Sequence, residues 1–204
     1  VAGIYEGLKQ RAVEEGLIEP KITYGYFKCY SRGDSVYVEN AGKTYEFVFP
    51  RQDFPPHLCI ADFFKTEIEG WDVAGFFVVT IGDKIGQLSR ELFEQDAYHD
   101  YLMLHGFGVE VTDALAEYWH EVMRVEMQIA ERRPDNMAGF VSQQYQGSRY
   151  GFGYPACPDL GAHEFVFQLL RPDNIGVTLT ENMEMVPEQT TSAIVAHHPQ
   201  AKYF

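Results

Sequence analysis

Two carboxylate-x-x-histidine pairs, Asp96/His99 and Glu117/His120, have the spacing that sets two metal ligands on one helix face. Di-iron bundles use this spacing, but they require four long helices, and this chain gives much of its length to strand-forming sequence. A solvated polar face is the favoured reading, because Asp113, Glu117, His120, Glu121 and Arg124 all fall off the apolar stripe of their segment. No metal site is assigned. His197-His198 is a weak ligand pair, since adjacent strand residues point to opposite faces. Nucleophilic chemistry has no GxSxG elbow, and phosphate binding has no Walker or Rossmann loop. Cys157 lies between Pro155 and Pro158 and would need a neighbour to lower its thiol pKa. Only the distant Arg149 offers one, so a backbone-shaping role in a rigid turn is favoured.

The run Arg149-Tyr-Gly-Phe-Gly-Tyr-Pro-Ala-Cys-Pro158 differs in kind. Its two prolines remove backbone donors, which bars that stretch from an inner strand. Gly151 and Gly153 let backbone approach a ligand closely. Tyr154 offers a flat face with a phenol tip, and Arg149 offers a fork suited to a carboxylate. One reading is an extended loop whose exposed backbone lies along a small zwitterionic, aromatic-bearing molecule. An equally open reading is an aromatic turn packed on the core. A stacking platform for single-stranded nucleic acid is a third reading, disfavoured by charge.

The elements that must position these residues follow from periodicity and punctuation. Ile4 to Glu15 reads as a helix with Ile4, Leu8, Val13 and Leu17 on one face, Gly16 at its end and Pro20 blocking continuation. Ile22–Tyr26, Ser35–Val38 and Tyr45–Phe49 read as antiparallel hairpins, punctuated by Ser31-Arg-Gly-Asp34 and Asn40-Ala-Gly42. Val73–Ile81 is a strand buried on both faces. Helix is expected from about Lys84 to Ile129, with Val111, Leu115, Tyr118, Val122, Val125 and Ile129 as the inward stripe. Gly106 and Gly108 mark a kink or a close approach by another segment, and Arg132 to Asp135 ends the helix. A short helix near Ala162–Leu170, a strand near Val177 and a last strand at Ser192–Ala196 complete an α+β fold in one domain, residues 1–204.

Composition limits the function classes. With 204 residues and 46% hydrophobic residues the chain can build a full core. The formal charge of −14 repels phosphate backbones, and no basic patch offsets it, so no nucleic-acid partner is expected. No apolar run approaches the ~20 residues that span a bilayer, so no membrane partner is expected either. Three cysteines without CxxC spacing read as reduced thiols of a cytoplasmic protein. No signal peptide is seen, and a chain opening on Val1 with helical sequence reads as a piece of a longer protein.

Arg149 to Asp159, read as Arg-x-x-x-Gly-Tyr-Pro-Ala-Cys-Pro-Asp, resembles the signature of the activation domain of cobalamin-dependent methionine synthase. Tyr24-Gly-Tyr-Phe27, Phe49-Pro-Arg-Gln52 and Ile60-Ala-Asp-Phe63 resemble its early strands and loops. Ala114-Leu-Ala-Glu-Tyr-Trp-His-Glu121 resembles its long helix. Leu179-Thr-Glu-Asn182, Val186-Pro-Glu-Gln-Thr-Thr-Ser-Ala193 and His198-Pro-Gln-Ala-Lys-Tyr-Phe204 resemble its C-terminal region. The matches run in order from about residue 22 to the last residue.

The resemblance implies a C-shaped domain with a bent antiparallel sheet and packed helices. It implies S-adenosylmethionine as ligand, presented to an inactive cob(II)alamin in a neighbouring cobalamin-binding domain for reductive methylation. A flavodoxin-like reductase or an equivalent donor supplies the electron. Carried over residue by residue, Arg149 holds the methionine end of the ligand. Tyr154 lies near both ligand and corrin and is the candidate catalytic residue. Ala156 contacts the ligand through backbone, and Tyr203 and Phe204 close the adenosine side. Asp113 takes the place of a ligand-contacting glutamate with one methylene less reach. The run Leu160-Gly-Ala-His-Glu164 replaces the His-Thr-Glu-Lys of many members. A ligand-contacting aspartate of the family precedes Val1, and many relatives continue past Phe204. Two alternatives stand beside this reading: a module that docks on a cobalamin domain without the nucleoside ligand, and an independent methyltransferase, which would lack the usual Gly-rich fingerprint.

Overall fold

The computed structural model describes residues 2–130 and 134–204. The helix end expected from Arg132 falls partly outside the described residues, as does the side chain of Ile4. The elements are α1 (Ala2–Glu14), β1 (Lys21–Arg32), β2 (Ser35–Asn40), β3 (Lys43–Val48), β4 (Asp72–Thr80), α2 (Lys84–Glu94), α3 (Tyr98–Glu126), α4 (Met137–Val141), β5 (Ser148–Gly151), α5 (His163–Leu170), β6 (Thr178–Leu179), β7 (Met185–Val186) and β8 (Thr190–Ala196). They form an α+β fold whose six-stranded sheet has the order β3-β2-β1-β4-β8-β5, with β6 and β7 as a separate pair. The β1–β2, β2–β3 and β5–β8 pairs are antiparallel. The chain divides into two compact units, the first of residues 1–23, 78–117 and 172–191, the second of 24–77, 118–171 and 192–204.

In the first unit, α1 ends where glycine was expected to stop it. Gly16 takes a φ of +59°. Gly16 N–H then donates to the Val13 carbonyl and Leu17 N–H to that of Ala12, which satisfies carbonyls the helix would leave bare. The buried face is Ala12 and Leu17 with Leu8 beside them, while Val13 is 81% exposed, a correction to the expected face. These residues pack with Ile81, Ile85, Leu104 and Phe107, and Val111 and Leu115 close over the cluster. The expected continuous helix is interrupted. Asp96 adopts a φ of +58°, and Ala97 N–H reaches back to the Leu92 carbonyl, so α2 ends and α3 starts anew. An aspartate can take this left-handed conformation without the glycine that would have announced it. Gly108 is a close approach: a Cβ there would lie 2.9 Å from Ile85 and 3.0 Å from Gln189. Gly106 has open space around it.

The second unit holds most of the sheet. Ala41 and Gly42 both have positive φ, 48° and 78°, the geometry of a two-residue hairpin between β2 and β3. Phe27, Phe47, Phe76, Phe152 and Phe165 form one aromatic core, with Phe47 5.1 Å from Phe76 and 5.7 Å from Phe165. The C-terminal part of α3 corrects the expected stripe. Tyr118 and Val125 are each 60% exposed, whereas His120, Met123 and Arg124 are buried. The cause is close packing on small residues: a Cβ on Gly75 of β4 would sit 2.6 Å from Met123 Cε. The helix therefore turns its Met123 side to the sheet and takes His120 and Arg124 inside, although both were expected on the solvated face. The helix also stops early. Gln128 has a φ of +59°, and Ile129 N–H donates to the Arg124 carbonyl.

Candidate functional site

Strand β5 is an edge strand, paired only with β8, and its register sets Arg149 opposite Val195 and Tyr150 opposite Ile194. This position fits the two prolines that follow, since an edge tolerates missing donors. Of the two open readings of the loop after β5, the backbone is a turn and not an extended segment. Cys157 N–H donates to the Tyr154 carbonyl at 2.8 Å, and Gly153 N–H donates to the Cys157 carbonyl at 2.8 Å. Pro155 and Ala156 thus occupy a tight turn, and Gly153 takes a φ of +87° to enter it. Ala156 and Cys157 are buried, while Tyr154 is 56% exposed. Burial pushes the Cys157 thiol up to about 12, with Asp159 adding to the effect, so it is no nucleophile at neutral pH. Asp159 accepts from Gly161 N–H at 2.8 Å, and the buried His163 meets Ser192 Oγ at 2.8 Å, so the far end of the loop is tied to β8.

Gly151 seats the tyrosine ring. A Cβ at that position would lie 2.9 Å from Tyr154 Cδ2 and 3.2 Å from Cε2, so the ring rests directly on the glycine backbone. The C-terminal tail completes the group. Tyr150 is fully buried and its hydroxyl donates to the Lys202 carbonyl at 2.8 Å. The Tyr150 ring lies 6.2 Å from Tyr203, 5.8 Å from Phe204 and 6.1 Å from Phe63, nearly parallel to the last. Tyr203 N–H donates to Gln143 Oε1 at 2.8 Å, and the Lys202 ammonium donates to the Gln143 carbonyl. Burial raises the Tyr203 phenol above its ordinary value, Tyr154 adds to the rise, and the Arg149 charge opposes it. Arg149, Tyr154 and Tyr203 are therefore electrostatic neighbours.

Phe63 reaches this cluster through a clamp that joins two of the quoted motifs. Arg51 grips both oxygens of Asp62 at 2.7 and 2.8 Å and also donates to Asp34 and to the His57 carbonyl. The Arg51 bonds hold the Asp62 pKa below its ordinary value against the opposing effect of burial.

The structure therefore brings Arg149, Tyr154, Ala156, Tyr203 and Phe204 onto one strand end, its loop and the tail. Asp113 is exposed on α3 in the first unit, and its assignment to the ligand rests on the resemblance alone. Tyr150 and Phe63 lie within quoted motifs but were not assigned to the site, and Gln143 was not singled out at all. The alternation of Tyr150 with Arg149 on β5 was the only signal for the first, and nothing local marks the others. Among the described residues no group of three or more His, Cys, Asp and Glu side chains is placed to hold a metal ion. No helix among them is long and apolar enough to cross a membrane.

An edge strand carrying an arginine, a glycine-seated tyrosine and an aromatic tail stand together on a mixed fold with an antiparallel sheet. The chain belongs to the family of vitamin B12-dependent methionine synthase activation domains, whose family model matches residues 6–204. It is 42% identical over 204 residues to the methionine synthase of Mycobacterium tuberculosis, a match covering 92% of this chain and 17% of that protein. It is 42% identical over 199 residues to the methionine synthase of Mycobacterium leprae, covering 90% and 16%. The chain thus spans about a sixth of the length of these curated relatives. A crystal structure of the MetH reactivation domain bound to AdoHcy shares the fold, with a TM-score of 0.84 at 24% identity over 100% of this chain and 67% of that one.

Proposed function

We propose that this chain binds S-adenosylmethionine and presents it to a cobalamin carried by a neighbouring domain, so that reductive methylation returns methionine synthase to activity. The observation that carries the reading is the grouping of Arg149 with the exposed rings of Tyr154 and Tyr203 in a member of the activation-domain family. The ligand chemistry fits. A carboxylate matches the guanidinium of Arg149, and a sulfonium is attracted to the face of a tyrosine ring. The adenosine lies against Tyr203 and Phe204, and Ala156 offers backbone from its turn. AdoHcy, bound in the solved relative, is the demethylated counterpart of this ligand.

Cobalamin, when bound in its own domain, supplies the cobalt that accepts the methyl group. This chain binds, orients and presents. The partners are the cobalamin-binding domain and a flavodoxin-like reductase that donates the electron, in a cytoplasmic methyltransferase of which the isolated chain is one part.

Titration calorimetry tests the reading. Losing one partner of a desolvated charge-assisted pair costs ~2–5 kcal/mol. Arg149→Ala should therefore bind S-adenosylmethionine at least about tenfold more weakly, with thermal unfolding nearly unchanged. A dissociation constant equal to that of the wild type removes Arg149 from the site. A wild-type chain that binds no ligand leaves docking on the cobalamin domain as the function.

A further inference from the structure

Arg51 has no donor left for a ligand. Its Nε and Nη2 donate to Asp34 Oδ1 at 2.9 and 2.8 Å, its Nη1 and Nη2 to the two oxygens of Asp62 at 2.7 and 2.8 Å, and its Nη1 to the His57 carbonyl at 2.7 Å. All five guanidinium N–H groups are taken by the protein itself. Whatever Arg51 does for the site, it does by holding other residues.

The two carboxylates it grips have different connections. Asp34 lies in the turn between β1 and β2. Asp62 lies in the short 3-10 turn Ile60–Phe63, and its Oδ2 also accepts from the Cys59 amide at 3.0 Å. The fork on one side and the amide on the other fix the orientation of that turn. Phe63, the next residue, is buried. Its ring meets the tail at both ends, 6.0 Å from that of His198 and 6.3 Å from that of Phe204, and it stacks on Tyr150 at 6.1 Å. Arg51, Asp34 and Asp62 have side chains that are 36%, 46% and 40% exposed, so their pairing by itself adds little to stability. What the fork supplies is direction: a lysine would keep the charge but lacks the planar set of donors that fits two carboxylates at once.

We propose that Arg51 is a positioning residue for the nucleoside side of the ligand site: through Asp62 it fixes Phe63 as the floor on which the tail carrying Tyr203 and Phe204 rests. The inference rests on the reading above that places the adenosine against Tyr203 and Phe204, and deepens it. It assigns Arg51 to the nucleoside end of the ligand and not to the carboxylate at Arg149.

Asp62 and Asp34 separate this role from a merely structural one, since both bind Arg51 and only Asp62 shares a turn with Phe63. Dissociation constants are measured for S-adenosylmethionine and for 5′-methylthioadenosine, which has the nucleoside without the carboxylate. The proteins are the 204-residue chain and its Arg51→Lys, Asp62→Asn and Asp34→Asn variants. Arg51→Lys and Asp62→Asn should weaken both ligands by the same factor, about fivefold, because a smaller fraction of the chain has its tail in place. Asp34→Asn should bind both within about twofold of the wild type. Equal weakening by Asp34→Asn and Asp62→Asn makes the clamp merely structural and overturns the proposal, and so does a loss confined to S-adenosylmethionine. The wild type offers a readout that needs no variant. Linkage is reciprocal, so bound S-adenosylmethionine should slow hydrogen exchange at the Cys59 amide several-fold. The Thr66 amide, which donates to Glu69 at 2.8 Å, should be unaffected. Equal slowing at both amides, or none at Cys59, overturns the proposal even if the variants do not fold. If the wild type binds neither ligand, the nucleoside site falls first and Arg51 with it. A wild type that binds both, with affinity intact in Arg51→Lys and Asp62→Asn, refutes Arg51 alone.

Discussion

Tyr150→Phe removes the hydroxyl that ties the tail to the sheet. Tyr150 is fully buried, and its hydroxyl donates to the Lys202 carbonyl at 2.8 Å. Phenylalanine keeps the ring and its contacts with Phe63, Tyr203 and Phe204, so no cavity beyond one oxygen is created. The bond itself contributes ~1 kcal/mol. Lys202 is exposed, so water can reach its carbonyl in the variant and the cost stays near that figure. For a chain of this size the loss corresponds to a fall in Tm of ~2–4 °C. The consequence for binding is larger in kind. The tail carries Tyr203 and Phe204, and it is also held by the bonds to Gln143 and Tyr145 and by that of Gln146 to the His197 carbonyl. A loss of ~1 kcal/mol raises the population with the tail detached about fivefold. Affinity falls in proportion to the competent fraction, so S-adenosylmethionine should bind up to about fivefold more weakly. The assay combines thermal unfolding, titration calorimetry and hydrogen exchange at the Tyr203 amide. That amide should exchange faster in the variant. Unchanged protection at Tyr203 together with wild-type affinity would show that the tail is held without Tyr150, and the argument would fail.

Tyr154→Phe should keep the affinity for S-adenosylmethionine, because the ring face remains, and should shift stability by less than ~0.5 kcal/mol, because the phenol is exposed. It should nevertheless change the rate of reductive methylation in the assembled synthase, and a wild-type reactivation rate would deny Tyr154 its role. Gly151→Ala places a methyl 2.9 Å from the Tyr154 ring, which must leave its seat; several-fold weaker ligand binding with little loss of Tm is expected, and full affinity would mean the seat is irrelevant. The pH dependence of Tm follows from His197 and Asp72, joined at 2.7 Å. Burial by itself would raise the Asp72 pKa, but His197 and the Lys65 and Val73 amides hold it at about 2, below its ordinary 3.8. The His197 pKa is raised above its ordinary 6.5 by the bond to Asp72, against the opposing effect of burial. The Asp72 contribution is present above about pH 4 and is lost as the pH falls towards 2, whereas that of His197 is present below about pH 6.5 and is lost as the pH rises through its folded pKa. Tm should therefore be highest between about pH 4 and 6.5 as far as this pair is concerned, and His197→Gln should flatten the alkaline side; a variant with the wild-type profile would assign that slope to other groups.

Much of this protein is decided by local chemistry and can be read without coordinates. The hairpins follow from Gly33 and the Ala41-Gly42 turn, the end of α1 from Gly16, the buried strand from the apolar run after Asp72, and the site loop from two prolines and two glycines. These features depend on backbone geometry within a few residues, which residue type largely dictates. The rotation of α3 does not. Its apolar period selects Val111 and Leu115, and in the first unit that choice is correct. In the second unit the sheet offers Gly75 as the place of closest approach, so Met123 packs there and His120 and Arg124 are carried inside with it. Periodicity measures how apolar a face is, not how closely a partner surface can approach it. The break at Asp96 escaped for a related reason, since an aspartate can end a helix without a glycine to mark it. The site divides in the same way. Arg149 and Tyr154 stand out by type within one segment, but Phe63, Tyr150, Gln143 and the tail meet only because edge pairing to β8 and the Arg51 clamp bring distant stretches together. Contacts across such separations in the chain leave no local pattern, and only the folded arrangement determines them.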